Sequence, residues 1–236
     1  MVEEVAELRA RLSSADRGAR RHACDETILK LQDQPELRAE IQSLLQDSNQ
    51  ELRFSACWIL FRSGEGGLRL LPALLDSLEL PDGDTRWSAA HMLATIGRMH
   101  PEVLPVLLHE TREGRVALRR RMALYALREL APEQDQTRDA FLLALDDADS
   151  SVQRAALSGF AKLGEPSSAA AERILEILEA HPDDRMRRIA AAVSAQVVGP
   201  NPEVLERARQ ALGALETSPD PVLSRTASAA LTRLAS

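Results

Sequence analysis

Leu52-Arg53-Phe54-Ser55-Ala56, followed by Leu60 and Gly64, is a pattern that the chain writes repeatedly. It returns as Thr85-Arg86-Trp87-Ser88-Ala89 with Leu93, Ile96 and Gly97. It returns again as Arg119-Arg120-Arg121-Met122-Ala123 with Leu127, Leu130 and Ala131, and as Val152-Gln153-Arg154-Ala155-Ala156 with Phe160, Leu163 and Gly164. These openings are 33, 34 and 33 residues apart. Weaker copies open at Arg20 (Cys24, Ile28, Leu31), Met186 (Ala190, Val197) and Leu223 (Ala227, Leu231, Leu234). The sixth also fits one residue later, from Arg187, with Ala191, Val198 and Gly199. A fixed period of this length marks a repeat architecture.

The spacing inside each copy is helical. Offsets 0, +4, +8 and +11 fall in one sector of a 3.6-residue wheel and face a core. Between copies runs a second apolar segment, such as Leu68–Leu75 or Val103–Leu108, so each period is a pair of helices. Residues 2–12 supply the first helix of the first pair. About seven pairs fill residues 1–236 as a single domain. Pro35, Pro101, Pro132, Pro166, Pro202 and Pro221 stand where helices begin. Aromatics are only 3% of the 236 residues, against abundant Ala, Leu, Arg and Glu, and no stretch alternates as a strand does. The prediction is all-α, and stacking such pairs makes one continuous core.

Composition narrows the class. The apolar share of 44% suits a folded protein, and no run reaches the roughly 18 apolar residues that a membrane span needs. The N-terminus, Met1-Val2-Glu3-Glu4, is acidic where a secretory signal starts basic. Two cysteines make no disulfide framework, so the expectation is a cytoplasmic protein. The net charge of −7 disfavours a general nucleic-acid binder.

The residues resemble a known family. An aspartate in the turn, an aliphatic–Arg pair, Ala four residues on and a closing Gly are similar to HEAT repeats, above all to the subtype called PBS-lyase HEAT-like repeats. Asp47…Leu52-Arg53…Ala56…Gly64 carries the pattern. So do Asp82…Thr85-Arg86…Ala89…Gly97, Asp147…Val152…Ala156…Gly164 and Asp183…Met186-Arg187. Gln153 departs at the usual Arg, and Arg119 and Arg20 depart at the usual aliphatic position. The resemblance implies a right-handed α-solenoid whose second helices line a concave surface. It also implies that Arg53, Arg86, Arg120 and Arg187 pair with turn aspartates.

Candidate binding residues come from the offsets opposite the core sector. Offset +2 reads Phe54, Trp87, Arg121, Arg154 and Arg188; offset +6 reads Trp58, His91 and Tyr125; offset +9 adds Phe61 and Arg128. Aromatics and arginines are the usual anchors of binding surfaces. Offsets 0 to +11 of the seven second helices hold sixteen Lys or Arg and three acids. The predicted groove is therefore electropositive on an acidic body, suited to a protein or peptide partner of acidic or apolar character.

Several chemistries compete with that reading. HEAT-like relatives include an iron-dependent hydroxylase, which needs several His-Glu pairs; only His109-Glu110 is present. A DNA-alkylation-repair glycosylase needs a carboxylate aimed at a cationic sugar. The groove columns offer only Glu65 and Glu165, at helix ends. A phycobilin lyase or chaperone subunit would sandwich a tetrapyrrole between aromatics and hold its propionates with arginines. The expectation is a non-enzymatic adaptor with no metal or cofactor, and Cys24 and Cys57 as buried structural thiols.

Overall fold

A computed structural model describes residues 2–31, 33–163 and 167–235. Gly164, Glu165 and Pro166 of the sequence reading lie outside the described residues. Fourteen α-helices and no strand occur among the described residues. They are α1 (Val2–Leu12), α2 (Arg17–Lys30), α3 (Pro35–Ser43), α4 (Gln50–Arg62), α5 (Leu71–Ser77), α6 (Gly83–Gly97) and α7 (Val103–Glu113). There follow α8 (Ala117–Leu130), α9 (Asp135–Ala144), α10 (Ser150–Leu163), α11 (Ser168–Ala180), α12 (Asp184–Val197), α13 (Pro202–Leu215) and α14 (Pro221–Leu234). Short 3-10 turns at Leu44–Gln46 and Leu68–Leu70 flank α3 and α5. None of these helices is long and apolar enough to cross a membrane.

The chain divides into two compact units, Met1–Leu107 and Leu108–Ser236. In the first, α1 packs on α2, α3 on α4 and α5 on α6, while the even helices also meet in sequence, α2 on α4 and α4 on α6. In the second, α9 packs on α10, α11 on α12 and α13 on α14, and α8, α10, α12 and α14 stack in order. The alanine column is what lets the even helices close up. Ala56, Ala89, Ala123, Ala156, Ala190 and Ala227 are all fully buried. One close approach demands more: a Cβ on Gly159 of α10 would lie 2.5 Å from the ring of Phe141, itself fully buried.

Two registers are now fixed. In α12, Met186 is buried and Arg187 is half-buried, so the sixth copy opens at Met186. In α2 the sequence reading is corrected by one residue. Arg20 makes the bond to the carbonyl six residues earlier that Arg53 makes, and Asp16 caps α2 three residues before Ala19 as Asn49 caps α4 three residues before Leu52, so the copy opens at Ala19. The cause is that Ala23 and Cys24 are both small enough for the alanine position. The shift puts Arg20 at the usual arginine position and Cys24 level with Cys57.

The recurrent arginine has a local job. It reaches back to the backbone carbonyl six residues earlier: Arg20 to Ser14 at 2.6 Å, Arg53 to Asp47 at 2.7 Å, Arg86 to Leu80 at 2.5 Å and Arg120 to Gly114 at 3.0 Å. Gln153 makes the same bond to Asp147 at 2.9 Å, so that departure keeps the geometry without the charge. These carbonyls leave the preceding helix or its turn and would otherwise lack a partner in the connection. Side chains at the following N-caps do the complementary work: Asp16, Asn49, Asp82, Asp149, Asp183 and Asp220 each accept from a backbone N–H one turn into the next helix. The exception is α8, whose N-cap Val116 offers no acceptor.

Candidate functional site

In the first unit, α2, α4 and α6 form a shallow cleft that is open to solvent. Phe54, Trp58 and Cys24 line its inner part, and Arg17, Arg20, Arg21, Asp82 and Asp84 surround it. The Phe54 and Trp58 rings stand 6.4 Å apart at a tilt of 36°. Arg21 and Arg62 each bring a guanidinium to 5.8 Å from the Trp58 ring centre. Trp58 Nε1 is buried without a hydrogen-bond partner.

Not every aromatic named from the sequence is open. Phe54 is only 8% exposed and belongs to the packing around the cleft, because α2 lies against this side of α4. Phe61 is half-buried, its ring beside Gly66. Trp87 is 46% exposed, and His91 is exposed as well.

In the second unit the column is basic. Arg121, Arg154 and Arg188 occupy equivalent positions on α8, α10 and α12, and Arg225 continues them on α14. Arg121 Nε is buried without a hydrogen-bond partner. Arg154 donates to Ser150 Oγ at 3.1 Å, and Arg188 lies 3.6 Å from Asp220. Tyr125 is partly buried against the core of this unit, with Arg128 at 5.1 Å over its ring.

Counting charges overstated how bare the basic groups are. Arg120 makes a two-pronged pair with Asp147 at 2.7 and 2.9 Å, and its guanidinium holds that carboxyl below the usual range. Arg119 clasps Glu110 at 2.6 and 2.8 Å. Arg53 meets Asp76 and Arg187 meets Asp184, both at 3.0 Å. Arg86 is different, giving its bonds to the carbonyls of Leu80 and Pro81 rather than to an aspartate.

Two of the acids named for the chemical alternatives are held in ion pairs, while Glu165 lies outside the described residues. Glu110, next to His109, is claimed by Arg119, and Glu65 is held by Arg38 and Arg69 at 2.9 Å each. Among the described residues no three His, Cys, Asp or Glu side chains cluster as a metal site. Cys24 and Cys57 are buried free thiols, pushed up by burial to about 11 and about 12. A thiol that resists ionisation is a poor nucleophile.

Sequence reasoning missed the cations of the cleft. With the first copy opening at Ala19, Arg21 stands at offset +2, level with Phe54 and Trp87. The period held that signal, and a one-residue slip hid it. Arg225 was likewise reachable by continuing the column two residues past Leu223.

No family model matches this sequence, and no curated protein matches it. Solved structures do. An archaeal HEAT-like repeats protein from Thermococcus onnurineus NA1 matches with a TM-score of 0.58 at 11% identity, over 98% of this chain and 97% of that one. The YibA protein of Escherichia coli matches at 0.55 and 14%, over 98% and 92%. A designed armadillo repeat protein, solved in complex with the peptide (KR)4, matches at 0.53 and 16%, over 98% and 99%. At these identities the likeness is one of fold. The chain has the repeat-solenoid fold of HEAT-like and armadillo proteins.

Proposed function

We propose that this chain is a non-catalytic, protein-binding scaffold whose arginine column takes an acidic peptide segment. The repeat-solenoid fold is consistent with a scaffold. One observation carries the finer reading: Arg121, Arg154, Arg188 and Arg225 recur at one position on four successive even helices of the second unit. Packed helices lie about 8–10 Å apart, and three residues of extended or polyproline-type chain, at about 3.1 Å each, span that distance. An acid at every third residue of the peptide would then meet one arginine after another.

The designed armadillo neighbour holds a basic peptide, (KR)4. The charge here calls for the opposite sign. Trp58, Trp87, Phe54, Phe61 and His91 would serve an apolar part of the partner, and Tyr125 and Arg128 would flank the column. The reading takes residues 1–236 as one run of repeats in the cytoplasm, where buried thiols stay reduced.

Fluorescence anisotropy with a labelled peptide bearing aspartate at every third position tests the proposal. Arg121→Glu and Arg188→Glu should each weaken binding by about 2 kcal/mol, the scale of interface hot spots. Melting of both variants should match wild type. Raising the salt should weaken binding, since exposed charges are screened within about 8–10 Å at physiological strength. Unchanged affinity in both variants sinks the proposal, and so does tighter binding of duplex DNA than of the peptide.

A further inference from the structure

The arginines of the column in the second unit are not equally free. Arg154 donates to Ser150 Oγ, Arg188 stands near Asp220, and Arg225 donates to the carbonyl of Pro221 at 3.0 Å. Arg121 makes no hydrogen bond and no ion pair among the described residues. A further guanidinium on the same helix shares that condition. Arg128 lies over the Tyr125 ring at 5.1 Å and has no hydrogen bond or ion pair among the described residues.

Helix α8 sets these side chains in one stripe. Tyr125 follows Arg121 by four residues and Arg128 follows it by seven, so the three share a face over about two turns. Side chains on a helix lean toward its N-terminus, which carries Arg128 back over the tyrosine and toward Arg121. Both arginines are half-buried, so their stems are packed while their charges have no acid partner among the described residues. The adjacent acid, Glu129, faces Lys162 of α10 at 3.7 Å. Helix α10 packs on α8, and its matching offsets carry Ser158 and Ala161. Such small side chains let the backbone of a partner come close, so a short side chain can bring an anion to the stripe.

A carboxylate has two oxygens, enough for one guanidinium fork. A phosphate monoester brings nearly two negative charges and three acceptor oxygens, which suit two forks. We propose that α8 binds a phosphoserine or phosphothreonine of the partner segment, with the phosphate between Arg121 and Arg128 beside Tyr125. This site rests on the reading of the arginine column as a peptide-binding surface, and it fixes one end of the peptide there. Because α8 is the first of the four helices, the phosphorylated residue stands at an end of the acid series, and the following acids run on to Arg154 and Arg188. The net charge of −7 sets this local anion site apart from a general polyanion surface.

Fluorescence anisotropy compares labelled peptides of one sequence, with aspartate at every third position, in which a single acidic position becomes phosphoserine. At one of the two ends, phosphoserine should bind about tenfold or more tighter than aspartate. In the middle of the series it should gain less. The gain should fade as the pH falls from about 7.5 to about 5, because a phosphate monoester takes up its second proton near pH 6. The all-aspartate peptide titrates near about pH 4 and controls for changes in the protein over that range. Arg128→Gln should abolish the gain without changing the melt or the affinity for the all-aspartate peptide. Arg128→Lys, which keeps the charge and loses the planar fork, is the second variant should Arg128→Gln misfold. If the all-aspartate peptide binds and phosphoserine adds nothing at either end, this inference is overturned and the column stands. If neither peptide binds, both fall. A gain that survives in a folded Arg128 variant, or that is equal at every position, also overturns the assignment to α8.

Discussion

The two units use one helix-pair plan to present different chemistry. At offset +2 of its even helices the first unit shows Arg21, Phe54 and Trp87, and the second shows Arg121, Arg154, Arg188 and Arg225. The core positions hardly differ: Ala56 and Ala89 in one unit and Ala123, Ala156, Ala190 and Ala227 in the other are equally buried. Packing thus constrains one sector of each helix tightly and leaves the opposite sector to vary. That is why one solenoid plan hosts unrelated functions.

The strongest way to break the comparison is to attack the shared sector. Ala89→Arg in the first unit and Ala156→Arg in the second should each cost several kcal/mol, through overpacking and a buried unpaired charge. Circular dichroism melts measure the loss. Hydrogen exchange shows whether protection falls in the substituted unit. An unchanged melt in either variant would mean that the alanine columns are not equivalent.

Next in size is the contrast between the two tryptophans. Trp58 is flanked by Phe54, Arg21 and Arg62, whereas Trp87 is nearly half exposed. Truncating a buried aromatic costs about 3–5 kcal/mol. Trp58→Ala should approach the lower end of that range, and Trp87→Ala should cost clearly less. Equal losses in thermal melts would erase the distinction between a packed and an open ring.

The smallest effect separates the two units by acid response. Arg120 holds the Asp147 carboxyl below the usual range in the second unit, and Thr85 holds that of Asp82 there in the first. Both groups resist protonation more in the folded chain than in the unfolded one, where carboxyls titrate near about 3.9. Their stabilisation is therefore complete above that pH and is lost as the pH falls through the lower folded values. Asp147→Asn and Asp82→Asn should each lower stability at pH 7, by about 0.5–2 kcal/mol for the cap. The gap to wild type should close on acidification below about pH 4. Salt should shrink the Asp147 effect, which rests on an ion pair, more than the Asp82 effect, which rests on neutral donors.

Much of the fold was legible from residues alone, because the alanine column and the turn aspartates recur at a fixed period. Residues 2–12 were expected as the first helix, and α1 spans Val2–Leu12. The candidate surface was harder to read. Phe54 sits at an outward offset, yet it is covered because α2 packs beside α4. Tyr125 is partly taken up by the core of its own unit. A helical wheel records the direction of a side chain along one helix and contains nothing about the neighbour at its flank. The first copy slipped because Ala23 and Cys24 are both small; the bond of Arg20 to the Ser14 carbonyl and the cap at Asp16 separate the two registers.

The arginine that reaches back six residues has a consequence for how such a chain changes over time. Arg20, Arg53, Arg86 and Arg120 each fasten a turn using atoms that lie within a single stretch of sequence. A segment of one period that is duplicated or excised carries both ends of its own fastening with it. Nothing elsewhere in the protein must mutate to re-make the joint. The number of repeats is therefore a quantity that recombination can alter in whole steps, while each outward face then diverges separately.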